Sequence, residues 1–98
     1  MVDVDPKTFT IDPIAIEKAI TPKTKAIIPV HLFGQCADMD SILGIAKKYN
    51  LFVLEDNAQG IGATHTFADG KEAKTGTLGH VAATSFFPSK NLGAYGDG

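Results

Sequence analysis

The sequence predicts an α/β fold, a mostly parallel sheet with flanking helices. Three observations predict it: apolar segments of strand length recur along the chain, helical patterns stand between the early ones, and the order is strand, helix, strand, helix, strand. In that spacing, parallel strands joined by right-handed crossovers are the expected arrangement.

Each element has a local cause. Met1 to Asp5 reads as the end of a strand. Asp12-Pro13 starts a helix, because the aspartate offers an N-cap oxygen and proline is tolerated where the first helical N–H has no partner. Ile16, Ala19 and Ile20 mark its apolar face, and Thr21-Pro22 ends it. Lys25 to His31 is strand-like through its β-branched run, with Pro29 indicating a sheet edge or the end of pairing. Asp38 or Asp40 caps a second helix. Its Met39, Ile42, Leu43 and Ala46 fall at i, i+3, i+4 and i+7, and Lys47 and Lys48 sit near its negative end. Leu51 to Leu54 is a continuous apolar run, the pattern of a strand covered on both faces, and it ends in Glu55 and Asp56. Strand alternation sends those two acids to opposite faces. From Gly60 to Gly79 the chain is rich in Gly, Thr and Lys, and Asp69-Gly70 predicts a hairpin turn. Val81 to Phe87 is the last predicted strand.

Composition narrows the function classes. With 98 residues, 44% of them hydrophobic and 20% charged, and a net charge of −2, the chain reads as one soluble globular unit, too short for two domains. No apolar run approaches the roughly 20 residues of a membrane-spanning helix. All nine basic residues are lysines, so the two-pronged guanidinium grip on phosphate is missing and nucleic acid is not an expected partner. Cys36 stands alone and cannot form an internal disulfide. Without a secretory segment, the expected compartment is reduced and cytoplasmic. His31, Cys36, His65 and His80 lack close ligand spacing, so no metal site is expected.

In an open parallel sheet, ligands bind beyond the carboxyl ends of the strands. Three predicted strand ends carry polar groups: His31, then Asp56 and Gln59, then Ser85 and Lys90. A lysine that follows an apolar strand and precedes glycines can hold its amine in a dry pocket, where desolvation frees a nucleophilic lone pair for a Schiff base. Ser85 is then placed to hold an anionic group. A Schiff-base lysine with a carboxylate from a neighbouring strand is the pair that pyridoxal phosphate requires, since the carboxylate keeps the pyridine nitrogen protonated. Asp56 is the chosen carboxylate. Each residue also has a plain reading: Lys90 as a solvated lysine, Asp56 as a cap, Ser85 satisfying a nearby backbone group, Gln59 as a surface amide, and His31 as a satisfied strand-end histidine. Gly60-Ile61-Gly62 fails as a dinucleotide fingerprint because His65 stands where its last glycine belongs.

Three ordered blocks carry a resemblance. They are Ile28-Pro29-Val30-His31-Leu32-Phe33-Gly34-Gln35, Leu54-Glu55-Asp56-Asn57-Ala58-Gln59-Gly60-Ile61-Gly62-Ala63, and Ser85-Phe86-Phe87-Pro88-Ser89-Lys90-Asn91-Leu92-Gly93-Ala94-Tyr95-Gly96-Asp97-Gly98. Together they resemble the nucleotide-sugar aminotransferases of the DegT/DnrJ/StrS type. The resemblance implies the large domain of a fold type I, aspartate-aminotransferase-like enzyme that uses pyridoxal 5'-phosphate. It implies a homodimer, an amino-acid donor (commonly glutamate), and a keto group on a nucleotide-linked sugar as acceptor. Lys90 becomes the lysine that carries the cofactor and shuttles the proton. Asp56 becomes the partner of the ring nitrogen, Gln59 a contact to the ring or its hydroxyl, and Ser85 a phosphate ligand; His31, from its place at a strand end and not from the resemblance, is a candidate contact to substrate or cofactor. Lysine at position 90 argues against the dehydratase branch, which has histidine there, and the last block is closer to enzymes aminating at C3 than at C4. Two departures stand out: Asn57 replaces a common alanine, and the Thr64 to Thr77 hairpin is long.

Family members also have an earlier glycine-rich phosphate-binding segment and a later small domain, neither of which is in residues 1–98. The chain is therefore expected to be an internal fragment of the large domain, inactive alone, with cut sheet edges prone to self-association. The rival is a non-catalytic α/β binding or signalling module, such as a receiver-like domain using Asp56 as acceptor. There the lysine should sit on a strand separate from the preceding hydroxyl residue, unlike Ser85 and Lys90.

Overall fold

The computed structural model describes residues 1–96; Asp97 and Gly98, which close the third sequence block, lie outside the described residues. In chain order the elements are α1 (Pro13–Ala19), β1 (Ala26–Ile27), α2 (Met39–Tyr49), β2 (Phe52–Asp56), β3 (Thr64–Thr66), β4 (Glu72–Lys74) and β5 (Val81–Ala83). A parallel sheet runs in the order β1-β2-β5, and β3 and β4 form a separate antiparallel hairpin. Ala26 pairs with Phe52 on one side of β2, and Leu54 pairs with Val81 on the other. All three strands consequently point their carboxyl ends the same way, and that end holds the polar residues singled out above.

Both helices start where their aspartates predict. Asp12 Oδ1 accepts from the Ile14 N–H at 2.9 Å. Asp38, not Asp40, caps α2: Oδ1 accepts from the Ser41 N–H at 3.2 Å and Oδ2 from the Ser41 hydroxyl at 2.7 Å. Asn50 closes α2 in the left-handed region, φ 53°, with its N–H directed at the Ala46 and Lys47 carbonyls. The apolar stripe of α2 buries Met39, Ile42 and Ala46 against Ile27 of β1, Val53 of β2 and Ile16 of α1. That cluster is the core on which the sheet rests. On α1 only Ile16 is buried; Ala19, assigned to the apolar face by spacing, is exposed.

Several expected strands are shorter than the sequence suggests. Met1 to Asp5 does not end a strand. It makes one antiparallel bridge, Val4 to Ile11, and then turns, because Asp5 Oδ1 takes the Lys7 N–H at 2.7 Å and Pro6 has no N–H to offer. The predicted strand, helix, strand, helix, strand order accordingly shrinks to a single helix-linked pair, β1-α2-β2. The link from β2 to β5 is the β3-β4 hairpin. Strand β1 breaks at Pro29, which can accept from the Asp56 N–H but cannot donate, and pairing resumes with the Val30 to Asp56 bridge. Strand β5 stops at Ala83 because Asn57, whose N–H takes the Ala83 carbonyl, turns out of β2. Strand β2 is covered on one face only: Val53 and Glu55 are buried, whereas Phe52 is exposed and stacks on His80 with ring centroids 4.5 Å apart.

Two substitutions check this account by urea unfolding. Removing the cap with Asp38→Ala should lower stability by about 1 kcal/mol. Truncating the core with Ile42→Ala should cost about 3 kcal/mol, with an unchanged denaturant slope in both cases.

Candidate active site

The site begins with the alternation at the end of β2. Val53 points into the core, so Glu55, two residues on, does too, and it is fully buried. A carboxylate there needs partners, and it has four. Oε1 accepts from the N–H groups of Leu78 and Gly79, both at 2.6 Å. Oε2 accepts from the Gly76 N–H at 2.7 Å and from His31 Nε2 at 2.8 Å. Burial alone would push its pKa up. The Gly79 N–H, His31, and the Gly76 and Leu78 N–H groups together outweigh that and hold it below the ordinary 4.5. Position 79 must be glycine for this approach: a Cβ would lie 2.9 Å from the Val53 carbonyl oxygen and 3.2 Å from Glu55 Cγ.

His31 is fully buried and both ring nitrogens are engaged. Nδ1 accepts from the Ala37 N–H at 3.1 Å, so the proton resides on Nε2 and is donated to Glu55. Its backbone N–H meets the Asp56 carbonyl at 3.0 Å. In this position the imidazole is a strut between β1 and β2 with no surface turned to a ligand. The plain reading of His31 as a satisfied strand-end histidine is the one its burial favours over a ligand contact. Strand alternation set Glu55 and Asp56 on opposite faces but left Glu55 without a role, although its burial was readable by counting alternate residues back to Val53 and Leu51.

Asp56 emerges on the opposite face, half-buried. Its Oδ1 accepts from the Ala58 N–H at 3.1 Å, and among the described residues Oδ2 has no hydrogen-bond partner. Asn57 is buried behind it, with Oδ1 unpartnered and Nδ2 donating weakly to the Thr75 carbonyl at 3.4 Å. Gly60 is required beside it, since a Cβ there would stand 2.6 Å from Asn57 Oδ1 and crowd the His31 ring. Ser85 Oγ accepts from the Phe87 N–H at 3.2 Å.

Lys90 lies in a loop closed on itself. Its N–H bonds the Phe87 carbonyl, its carbonyl takes the Gly93 N–H, and the Ala94 N–H returns to Phe86. A Cβ at Gly93 would overlap the Pro88 carbonyl, so this loop admits only glycine there. The half-buried Lys90 and Gln59 share one cavity of about 370 Å³ with Phe33, Gly34, Ser89 and Asn91. Asp56 and Ser85 are not among its lining residues. The structure thus brings together Gln59 and Lys90 from separate strand ends, and leaves Asp56, at the end of β2, and Ser85, two residues beyond β5, engaged in local turns outside that cavity. Cys36 lies apart, half-buried. Desolvation first, and then the charges of Glu55 and Asp38, push its thiol up to about 11, so it stays protonated at neutral pH.

Comparison with known proteins identifies the lineage. The DegT/DnrJ/EryC1/StrS aminotransferase family matches residues 1–98. The chain belongs to that family. Over 97 residues, 99% of the chain, it is 61% identical to a pleiotropic regulatory protein of Geobacillus stearothermophilus and 57% identical to the UDP-2-acetamido-2-deoxy-3-oxo-D-glucuronate aminotransferase of Pseudomonas aeruginosa. It spans 25% and 26% of those two proteins, about a quarter of their length. Among solved structures, NtdA from Bacillus subtilis with bound cofactor PMP superposes with a TM-score of 0.83 at 46% identity, over 97% of this chain and 20% of that one. The fold is therefore that of the family's α/β aminotransferases, which displaces the receiver-like reading.

The buried network and the lysine loop each yield a test. Glu55 has a folded pKa below its unfolded value, so its contribution is complete above about pH 4.5 and is lost as pH falls through the lower folded value. Glu55→Gln, which sets an amide N–H₂ against donors, should cost about 3 kcal/mol at pH 7 and flatten this acid dependence, as read by urea unfolding at pH 7 and pH 3.5. Gly93→Ala should cost about 1–3 kcal/mol in the same assay through its clash with Pro88.

Proposed function

We propose that the polypeptide containing this chain is a pyridoxal-phosphate-dependent aminotransferase that moves an amino group from an amino-acid donor, with glutamate expected, to a keto group of a nucleotide-linked sugar, at C3. The observation that carries the reading is the meeting of Lys90 and Gln59 in one cavity at the carboxyl end of the parallel sheet. The names of relatives support the substrate class and the carbon: besides the 3-oxo-glucuronate enzyme, the chain is 53% identical to a UDP-N-acetyl-3-dehydro-alpha-D-glucosamine 3-aminotransferase of Acidithiobacillus ferrooxidans.

The side chains present fit such a cofactor in their chemistry. A half-buried primary amine and an amide share one cavity, and a hydroxyl and a carboxylate with an unpartnered Oδ2 stand with them at the carboxyl ends of β2 and β5. The chemistry that pyridoxal phosphate supplies when bound is the withdrawal of electrons from the carbon bearing the amino group. In this reading Lys90 anchors the cofactor through its amine and then moves the proton at the substrate carbon. Asp56 holds a proton on the ring nitrogen by charge, Gln59 orients the ring or its hydroxyl, and Ser85 binds the phosphate. His31 keeps the Asp56 peptide in register from beneath and makes no ligand contact.

The chain is read as a fragment of the large domain, and residues 1–98 alone are expected to lack transaminase activity. The complete protein is read as a cytoplasmic homodimer. Supporting the dimer, Phe87, Leu92 and Tyr95 of the lysine loop stand exposed and need cover. Supporting the compartment, Cys36 is a free thiol, and no helix among the described residues is long and apolar enough to cross a membrane.

Borohydride reduction of the full-length polypeptide loaded with pyridoxal phosphate, followed by peptide mass mapping, tests the assignment. The label should fall on Lys90 and vanish in Lys90→Ala. Asp56→Asn should keep the label while turnover drops at least 100-fold. Label scattered over surface lysines would overturn the reading.

A further inference from the structure

Phe33 occupies a place that neither conformation nor burial explains. Leu32-Phe33-Gly34-Gln35 is a tight turn closed by the Gln35 N–H on the Leu32 carbonyl at 2.9 Å, with φ 55° at Phe33 and 75° at Gly34. Two successive positive φ values define the turn type that favours Asn, Asp or Gly at its first central position. A bulky side chain there is strained. Burial of the ring does not offset the strain, because Phe33 is 80% exposed.

Among the described residues two other non-glycine residues have positive φ. Asn50 is the left-handed cap of α2. Phe9, also exposed, lines a separate apolar cavity with Met1, Val4 and Ile28. Phe33 instead lines the cavity of Lys90, Gln59, Ser89 and Asn91, and is the one aromatic ring in that polar wall. Its position is fixed from both sides: the Gly34 N–H bonds the Gln59 carbonyl at 2.9 Å, and the strand before it is held by His31. The turn is therefore rigidly joined to the residues proposed to handle the cofactor, and the strained residue is the one with an apolar face to offer.

We infer that Phe33 is a specificity residue whose ring packs against the sugar of the nucleotide-linked acceptor. This rests on the function proposed above. An aromatic face complements the C–H face of a pyranose, whereas a small amino-acid donor dominated by charged groups gains little from it. What sets Phe33 apart from Phe9 is the cavity it lines: strain held beside Lys90 and Gln59 is the mark expected of a residue selected for binding.

The test uses Phe33→Gly, Phe33→Tyr and Phe33→Asn in the full-length, cofactor-loaded protein. Phe33→Gly and Phe33→Asn relieve the positive φ and should raise the thermal midpoint by about 2–4 °C. They should also weaken binding of UDP-N-acetylglucosamine, measured by calorimetry, at least fivefold, and reduce kcat/KM at least tenfold more for the keto-sugar half of the reaction than for the amino-acid half. Phe33→Tyr, which keeps the ring, should bind the probe within about threefold of the parent. A lower thermal midpoint with unchanged probe binding would make the ring a structural residue and overturn the inference. So would dissociation of a native dimer by Phe33→Gly in sedimentation, which would assign the ring to a second copy. Failure of the parent reading appears separately, as absence of reducible label on Lys90 in the unsubstituted protein.

Discussion

A single carboxylate, that of Glu55, is the constraint on which the site end of this chain depends. It is removed from water and accepts four hydrogen bonds, three from the backbone of residues 76–79 and one from His31. An unmet buried donor costs about 1–3 kcal/mol, against about 5–15 kcal/mol for the stability of a whole domain. The segment entering β5, the end of β2 and the exit of β1 are consequently joined through one side chain. Asp56 and Gln59 lie at and just beyond the end of β2, and Ser85 and Lys90 follow β5, so their relative placement inherits the geometry of Glu55.

The backbone completes what Glu55 starts. Asp56 is clamped on both sides of Val30, its N–H on the Pro29 carbonyl and its carbonyl on the His31 N–H. Proline at position 29 interrupts the ladder as a donor yet still serves as an acceptor, so the strand can break without releasing its neighbour. Three residues further along each segment, the Gly34 to Gln59 bond repeats the linkage outside the sheet. Alternation does the rest: consecutive acids at 55 and 56 divide into one that is buried and holds the scaffold and one that emerges half-buried on the opposite face.

What the sequence disclosed follows from the range of the forces involved. The Asp12 and Asp38 caps, the stripe of α2 and the Asp69-Gly70 turn are set by residues within four positions of one another, and each was legible. Strand lengths were not, because the strand-compatible Thr84-Ser85-Phe86-Phe87 says nothing about whether a partner strand continues; Asn57, distant in sequence, ends it. The missing strand at Met1 to Asp5 had its signal in Asp5-Pro6, a turn former. The lysine loop was legible only through its resemblance to a family motif, since nothing in its local pattern distinguishes Lys90 from a solvated lysine. Glu55 and His31 were harder for a physical reason: a buried polar pair 24 residues apart is created by packing, and the sequence shows only two polar residues at strand ends.

The β3-β4 hairpin has a practical side. Its base is fastened by the Thr75 hydroxyl to the Gly60 carbonyl at 2.6 Å and by the Thr75 N–H to Ala63, while His65 reaches Asp40 of α2 at 3.3 Å. Its tip, Ala68 to Lys71, is exposed and turns through Gly70 at φ 85° with no tie to the carboxylate network. Anchored at the root and free at the end, it offers an attachment point: a fluorophore, a spin label or a short affinity tag placed at the tip would travel with the site end of the fold as a rigid reporter without loading the groups that build it.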